Sequence, residues 1–341
     1  MALQDKTSLL SLPIEALPGE GYRRQQLAGW LYDKGARQWD EMTDLPRALR
    51  SEWAERFRIS EFAEVMPYPS QDGSVKYLYT LLDGQKTEAV YMPYQNRKTL
   101  CISSMVGCPA GCTFCATGRM GFGRNLTAAE IVDQILFTAH HQGHAPREIR
   151  NVVLMGMGEP LLNVDNVFAA IGRMLHPQGL AMSPRRITLS TVGIPRGIYK
   201  LAESGLGVRL ALSLHAPDDE TRQQIIPTAH RYRIAEIMDA VRHYYAQTGR
   251  RVTLEYTLLR GVNDHDWQAR ALGGLFKGLS VHMNLIPWNP WEGAPHQGTP
   301  KAQILKFAAT LEQQGIPTSV RWSRGRDVGA ACGQLTLQQP A

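Results

Sequence analysis

The sequence lacks the features that mark membrane, secreted and disordered proteins. Its 341 residues contain no uninterrupted run of about 18 apolar residues, the length that a membrane-spanning helix requires. No long block of like charges appears, and 43% of the residues are hydrophobic, so global disorder is excluded. The first residues show no basic region followed by an apolar core, so no secretory signal is expected. These absences predict a cytoplasmic globular protein.

Cysteine is scarce and unevenly placed. Of the five cysteines, Cys101, Cys108, Cys112 and Cys115 fall within fifteen residues, and Cys332 stands near the end of the chain. A disulfide scaffold spreads an even number of cysteines along a short secreted chain, which this pattern does not match. The clustering favours a metal or redox site.

The chain divides into four regions that differ in their pattern of apolar and polar residues. Residues 1–60 predict a small helical module, because segments 22–34 and 45–57 place apolar residues at helical spacing. Residues 61–97 contain two strand-like segments, 76–82 and 87–92, on either side of Asp83-Gly84, a strong hairpin signal. Residues 98–335 alternate strand and helix patterns, and residues 336–341 are expected to form a short tail.

The third region predicts the fold class. Strand candidates are 99–104, 151–155, 186–190, 208–214, 252–258, 282–286 and 318–322, and helical stretches lie near 127–142, 163–175, 196–204, 233–247, 266–277 and 301–315. Repeated strand-then-helix units imply parallel pairing. We therefore expect an α/β protein with a closed or partly closed (β/α) barrel, and an open doubly wound sheet is the alternative. In both architectures ligands bind at the carboxyl ends of the strands.

The cysteine loop Cys108-Pro-Ala-Gly-Cys112-Thr-Phe-Cys115 has the form C-x3-C-x2-C. A structural zinc site usually needs four protein ligands, and Cys101 is poorly placed to be the fourth. Three thiolates on a four-iron cluster leave one iron open, which can coordinate S-adenosylmethionine and pass it an electron. The spacing is the signature of the radical-SAM superfamily.

Two further segments agree with this interpretation. The turn Gly156-Met-Gly158-Glu159-Pro160 follows the second barrel strand, where glycines let a ligand approach and an acidic group can hold an ammonium group. Cys332 lies in a loop with Gly325, Gly329 and Gly333 that should emerge at the ligand-binding end. A lone cysteine is usually a buried apolar residue, and a mobile thiol at this end is a candidate nucleophile.

Over nearly its whole length the chain resembles the RlmN/Cfr family of radical-SAM RNA methyltransferases, which methylate adenine ring carbons. The similar stretches include RRQQLAGWLYDKG, CISSMVGCPAGCTFCATG, MGMGEPLLN, ITLSTVG, LSLHAP, NLIPWNP and RGRDVGAACGQL.

The resemblance implies a role for each matching residue. Cys108, Cys112 and Cys115 would bind a [4Fe-4S] cluster, and the S-adenosylmethionine-binding positions would be Gly158, Glu159, Ser190, Ser213, Leu214, His215 and Asn289. Two S-adenosylmethionine molecules would be used per turnover, one to methylate the sulfur of Cys332 and one to generate a radical. Cys101 would resolve a covalent protein–RNA intermediate by forming a disulfide with Cys332, and Glu88 would accept a proton.

Two outcomes compete within the family, methylation of adenosine C2 and methylation of C8. Ser323-Arg324-Gly325 and the N-terminal module resemble the C2 type. Members of that type commonly carry an acidic pair and a later Asp where this chain has Arg326-Asp327 and Gly329. The implied substrates are 23S rRNA and the adenosine 3′ of the anticodon in tRNA. We further expect an electron donor such as a flavodoxin and no membrane partner, and we take a monomer as the default.

An RNA substrate agrees with the formal charge of +6, although this excess is small for 341 residues. Candidate RNA contacts are Arg23, Arg24, Arg47, Arg50, Arg119 and Arg124, and each is equally consistent with a solvated surface charge. A non-catalytic RNA-binding module with a structural metal is the alternative from a different class. His140, His141 and His144 favour a solvated helix end over a metal site.

Overall fold

The computed structural model describes residues 5–337. Two short parallel strands, β1 (Thr7–Ser8) and β2 (Phe57–Arg58), close the N-terminal module. Its helices are α1 (Tyr22–Ala28), continued by a π-helix over Gly29–Lys34, and α2 (Arg47–Arg56). Both predicted helical segments are therefore confirmed. α2 begins at Arg47, after Pro46, and not at position 45.

The module and the barrel share one hydrophobic core. Leu27, Leu31 and Trp53 of the module belong to the same buried cluster as the barrel residues. A buried ion pair adds a polar connection, because Arg37 contacts Asp133 of the first long barrel helix through both of its terminal nitrogens. The module is therefore fixed to the barrel rather than tethered beside it.

The remaining elements confirm the predicted alternation of strands and helices. The strands are β3 (Phe62–Pro69), β4 (Val75–Leu81), β5 (Lys86–Tyr94), β6 (Arg97–Cys101), β7 (Met105–Gly107), β8 (Phe122–Asn125), β9 (Asn151–Leu154), β10 (Ile187–Thr191), β11 (Arg209–Ser213), β12 (Val252–Leu258), β13 (Val281–Pro287) and β14 (Thr318–Val320). The helices are α3 (Ala116–Arg119), α4 (Ala128–His141), α5 (Val164–Leu175), α6 (Pro195–Glu203), α7 (Asp219–Ile225), α8 (Ile234–Thr248), α9 (Asp266–Leu275) and α10 (Lys301–Gln313).

The strands other than β1, β2, β7 and β8 form one sheet in the order β14–β13–β12–β11–β10–β9–β6–β5–β4–β3. From β6 to β14 all neighbours are parallel and follow chain order. A doubly wound sheet reverses its strand order at a switch point, so that alternative is wrong and the fold is a partial (β/α) barrel. The barrel is open, because β3 and β14 are not paired with each other.

The predicted hairpin at Asp83-Gly84 is confirmed as β4 and β5, and it extends the barrel sheet. β5 pairs antiparallel with β6, so the sheet continues without a break across position 97. β3, which was not predicted, adds a further antiparallel strand at the edge. The proposed domain boundaries at 60, 97 and 335 stay predictions, and most of the predicted tail lies outside the described residues.

Outside the main sheet, β7 and β8 form a two-stranded ribbon that flanks the cysteine loop. The N–H of Cys108 donates to the carbonyl of Gly121 at 2.8 Å. Gly107 has φ +69°, and a Cβ there would stand 2.0 Å from the Gly121 oxygen. Only glycine allows this approach, so the ribbon depends on it to present the loop. Among the described residues, no helix combines the length and apolarity needed to cross a bilayer.

Candidate active site

A cavity opens at the carboxyl ends of the barrel strands. Its walls bring together the three loop cysteines, the Gly-Glu turn, two serines, a histidine and the late cysteine that the sequence singled out. They are Cys108, Cys112, Cys115, Gly158, Glu159, Ser190, Ser213, His215 and Cys332. In (β/α) barrels this edge of the sheet is where ligands bind.

The three loop cysteines lie in the segment between β7 and α3, where Cys115 immediately precedes the helix. Burial raises the pKa of Cys108 to about 12 and raises the pKa of Cys112 and Cys115 as well. Such thiols ionise readily only beside a cation, and metal ligation supplies one. Within residues 5–337 no three His, Cys, Asp or Glu side chains converge on a single-ion site. Thiols that bind different irons of one cluster need no such convergence, so these residues fit a [4Fe-4S] cluster with three protein ligands.

Aromatic residues hold the cysteine loop in place. Trp288 and Trp291 each donate an indole N–H to the carbonyl of Phe114, at 3.0 and 3.3 Å. Phe114 in turn packs on the His215 ring with 4.6 Å between centroids. These contacts assign the two tryptophans to packing at the barrel mouth.

Glu159 occupies the turn after β9 and faces the cavity. One carboxylate oxygen accepts from the N–H of Leu161 at 3.0 Å, and the other accepts from the N–H of Val192 at 2.7 Å. Burial nevertheless raises the pKa of Glu159 to about 7. A cationic ligand such as an ammonium group would favour the ionised form of this carboxyl. Gly158 has φ +106°, and a Cβ there would stand 2.7 Å from the Met105 side chain, so glycine is required at this turn.

His215 is held as a neutral imidazole. Its backbone is left-handed, with φ +60°, and its Nδ1 accepts the N–H of Thr257 at 2.9 Å. This bond leaves the proton on Nε2. Burial, together with nearby Arg222, lowers the pKa of His215 to about 3. Ser190 and Ser213 complete this wall, with 3.3 Å between their hydroxyl oxygens.

Two residues that the resemblance assigns to S-adenosylmethionine do not line the cavity. Leu214 is buried, and its carbonyl accepts from Arg222 Nε at 3.1 Å. Asn289 donates to the carbonyl of Cys332 at 3.0 Å and to the Ser323 hydroxyl at 2.8 Å. In this structure Asn289 therefore orders the loop that carries Cys332.

Cys332 lies on the cavity wall and is exposed to solvent through it. The surrounding protein raises the pKa of its thiol, Arg321 opposes this effect, and Glu255 adds to it. The next residue, Gly333, accepts the N–H of Ala116 at 2.8 Å, so the Cys332 loop is bonded to the start of α3. The two cysteine-bearing loops thus meet at one site.

Cys101 and Glu88 lie behind this wall and do not line the cavity. Cys101, at the end of β6, pairs with Val90 of β5, and burial together with the Cys332 thiol raises its pKa to about 12. All five cysteines are free thiols in this structure. Glu88 is fully buried on β5, where its Oε1 lies 3.2 Å from Lys76 Nζ. Burial raises the pKa of Glu88, and Lys76 opposes that rise.

Sequence reasoning missed the cavity residue Glu255. Its Oε1 accepts from Asn284 Nδ2 at 2.9 Å and lies 3.8 Å from Arg321 Nη1, while burial raises its pKa. Glu255 on β12 is in register with Ser213 on β11. A charged residue inside the apolar run of a buried strand is the signal that could have identified it.

Most candidate RNA-contacting arginines make intramolecular bonds. Arg24 donates to the Leu17 carbonyl, Arg50 donates to the Trp39 carbonyl, and Arg124 pairs with Asp83 and Glu130. Arg47 and Arg119 are exposed. The three histidines also contact protein groups: His140 lies near the Gly35 carbonyl, His141 near the Tyr77 hydroxyl and His144 near the Tyr91 hydroxyl.

The barrel and its three-cysteine cavity define a radical-SAM enzyme, and comparison with known proteins agrees. A model of the radical SAM superfamily matches residues 102–271, and a model of the ribosomal RNA large subunit methyltransferase N-terminal domain matches residues 13–59. The crystal structure of a radical SAM methyltransferase from Sphaerobacter thermophilus superposes with a TM-score of 0.92 at 40% identity, covering 97% of this chain and 100% of that one.

Two relatives specify the family further. A protein of Thermus thermophilus named "Probable dual-specificity RNA methyltransferase RlmN" is 73% identical over 97% of this chain and 94% of its own length. A protein of the same name from Deinococcus deserti is 57% identical over 97% of both chains. The chain belongs to the RlmN family and is a radical-SAM RNA methyltransferase.

Proposed function

We propose that this enzyme methylates carbon 2 of adenosine in 23S rRNA and in tRNA, at the position 3′ of the anticodon. One observation carries the proposal: Cys332 lines the same cavity as the three cluster cysteines. The match to the N-terminal domain of a ribosomal RNA methyltransferase supports an rRNA substrate. The words "dual-specificity" in the relatives' names support a second RNA substrate.

The first chemical task belongs to Cys332. Adenine C2 is electrophilic and cannot attack the methyl group of S-adenosylmethionine, whereas a thiolate can. Cys332 loses its proton, and its thiolate attacks the methyl carbon of S-adenosylmethionine, displacing S-adenosylhomocysteine and becoming a thioether. Arg321 favours the thiolate, because its positive charge opposes the effect of burial on the Cys332 thiol.

The second task transfers the carbon. When bound, the cluster supplies the electron that cleaves a second S-adenosylmethionine to a deoxyadenosyl radical. The S-methyl group of Cys332 gives up a hydrogen atom, and its carbon adds to adenine C2. Glu88 accepts the C2 proton, and the cluster, held by the three loop cysteines, would serve as the acceptor for the one electron that the adduct gives up. Cys101 sulfur then attacks Cys332 sulfur, the carbon–sulfur bond breaks with its electron pair on carbon, and protonation of that carbon gives the methyl group.

The site residues divide this work by position. Glu159 would hold the ammonium group of S-adenosylmethionine, and the neutral His215 would offer its Nε2–H to the same ligand. The glycine-containing loop lets Cys332 serve both chemical steps. The reaction would draw electrons from a donor such as a flavodoxin, and we propose a monomeric enzyme working in the cytoplasm.

The test is anaerobic reconstitution with iron, sulfide, reductant, S-adenosylmethionine and RNA fragments, followed by digestion and mass analysis of nucleosides. We expect 2-methyladenosine. Formation of 8-methyladenosine would show that the enzyme methylates C8 instead of C2. Cleavage of S-adenosylmethionine without any methylated adenosine would contradict both assignments. A colourless protein with stoichiometric zinc, in place of a brown cluster-containing one, would support a non-catalytic RNA-binding module.

A further inference from the structure

A buried ion pair lies beneath the C-terminal segment of the chain. Lys76 on β4 and Glu88 on β5 are 2% and 0% exposed, and Lys76 Nζ lies 3.2 Å from Glu88 Oε1. The register of the hairpin pairs Lys76 with Val90 and Leu78 with Glu88, so both charged side chains project from the same face of the sheet. Cys101 pairs with Val90 and belongs to this face.

Both charges also contact the segment that carries Cys332. Glu88 Oε2 accepts the N–H of Leu337 at 3.3 Å. A Cβ on Gly329 would stand 3.6 Å from Lys76 Nζ, so the ammonium group approaches the backbone just before Cys332. The Lys76–Glu88 pair therefore approaches the Cys332-bearing segment on both sides of Cys332, at Gly329 and at Leu337.

Stability does not account for such a pair. Desolvating two charges costs several kcal/mol per ion, and apolar replacement of a buried pair is often neutral or stabilising. A functional requirement for an ionised carboxyl accounts for it directly, since a general base must be deprotonated before it acts.

We propose that Lys76 is a positioning residue that holds Glu88 as a carboxylate, ready to accept the proton that leaves adenine C2. The inference rests on the proposed function. The C2–H bond breaks with its electron pair left in the ring, the proton goes to a Glu88 oxygen, and one electron passes from the adduct to the oxidised iron–sulfur cluster. Lys76 takes no part in bond making and acts through its charge.

The groups facing Glu88 determine the pH dependence. Among the described residues they are Lys76 from β4, Tyr68 from β3 and the backbone N–H groups of Thr336 and Leu337. Burial raises the pKa of Glu88, while Lys76 and the two N–H groups lower it. Removing the Lys76 charge therefore raises the pKa further, so the proposal predicts a smaller ionised fraction of Glu88 at a given pH and its recovery at higher pH.

The experiment compares Lys76→Gln, Lys76→Arg, Glu88→Gln and wild type, each reconstituted and supplied with S-adenosylmethionine and RNA. Mass analysis follows methylation of Cys332, and denaturing gels follow the covalent protein–RNA adduct. We expect Lys76→Gln to methylate Cys332 normally but to resolve the adduct about tenfold to a hundredfold more slowly at pH 7. Raising the pH should restore the wild-type rate of adduct resolution in Lys76→Gln. Lys76→Arg should retain the wild-type pH profile, and Glu88→Gln should accumulate adduct at every pH.

Two contrary results distinguish a failure of the Glu88 role from a failure of the Lys76 role. Normal adduct resolution by Glu88→Gln would refute the role of Glu88 and with it that part of the proposed function. Accumulation in Glu88→Gln together with a wild-type pH profile in Lys76→Gln would refute the role of Lys76 alone.

Infrared difference spectra give a second readout that does not depend on turnover. The carboxylic-acid band of Glu88, assigned by its loss in Glu88→Gln, should be absent from wild type at pH 7 and present in Lys76→Gln. Its presence in wild type at pH 7 would overturn the proposal even if Lys76→Gln failed to fold.

Discussion

The N–H of Ala116 donates to the carbonyl of Gly333 at 2.8 Å, and this bond joins the helix after the last cluster cysteine to the residue after Cys332. A backbone bond of this kind is independent of side-chain identity. It fixes the position of the proposed methyl acceptor relative to the cluster loop.

Gly333→Ala is expected to disturb this junction. Gly333 has φ +82°, so alanine strains the backbone at the residue that bonds Ala116, while its Cβ would only touch the Phe114 carbonyl oxygen at an ordinary 3.4 Å. Gly84 has φ +81° with nothing within 4 Å of its Cβ position, so Gly84→Ala controls for backbone strain of about 1–2 kcal/mol. Mass analysis should show slower Cys332 methylation in Gly333→Ala only. Equal methylation in both variants would show that the junction does not position Cys332.

Cys101→Ala and Cys332→Ala should fail at different stages. Without Cys332 no methyl group is taken up by the protein, so neither methylcysteine nor adduct forms. Without Cys101 the methylcysteine and the adduct form, and the adduct persists because no sulfur can attack Cys332. Peptide mass analysis and denaturing gels distinguish these cases, and a Cys101→Ala enzyme that turns over without adduct would contradict the assignment.

His215 should make the protein sensitive to acid. Its pKa in the folded protein is lowered to about 3, so below about pH 6.5 the unfolded chain binds a proton that the folded chain does not. The free energy of unfolding therefore keeps its full value above that pH. It decreases as the pH falls, by about 2 kcal/mol between pH 6.5 and pH 5. Denaturant unfolding at several pH values should show a shallower dependence in His215→Asn.

His230→Asn, at an exposed position, is the control for this measurement and should keep the wild-type slope. An unchanged slope in His215→Asn would mean that the imidazole is not held neutral at acid pH.

Arg37→Met should destabilise the whole protein, because it leaves the buried Asp133 carboxylate without its ion-pair partner. The expected loss is about 3–5 kcal/mol, and adding Asp133→Asn should recover part of it. Urea unfolding followed by circular dichroism measures both. Lys306→Met removes one partner of an exposed pair with Asp266 and should leave stability close to wild type. A separate early unfolding transition in Arg37→Met would show that the N-terminal module unfolds on its own.

Local signals predicted much of the architecture. Asp83-Gly84 marked the hairpin, whose three-residue loop, 82–84, ends at Gly84 in the left-handed region with φ +81°. Thr127 and Glu130 form the capping box that begins α4. β3 escaped prediction because Pro67 and Pro69 interrupt its pattern, and prolines are tolerated there because the strand lies at the sheet edge.

The sequence predicted which residues form the site better than it predicted how those residues are arranged. Spacing and resemblance identified the cluster cysteines, Glu159 and Cys332, which share one cavity. The left-handed backbone of His215 and the loop contacts of Asn289 depend on neighbours distant in sequence. The Lys76–Glu88 pair depends on strand register, which a pattern of residue types does not specify.

Leu337, which donates its N–H to Glu88, follows Cys332 by only five positions. The same short segment therefore carries the nucleophilic sulfur and covers the buried carboxylate, so a substitution that displaces this segment would affect both groups at once.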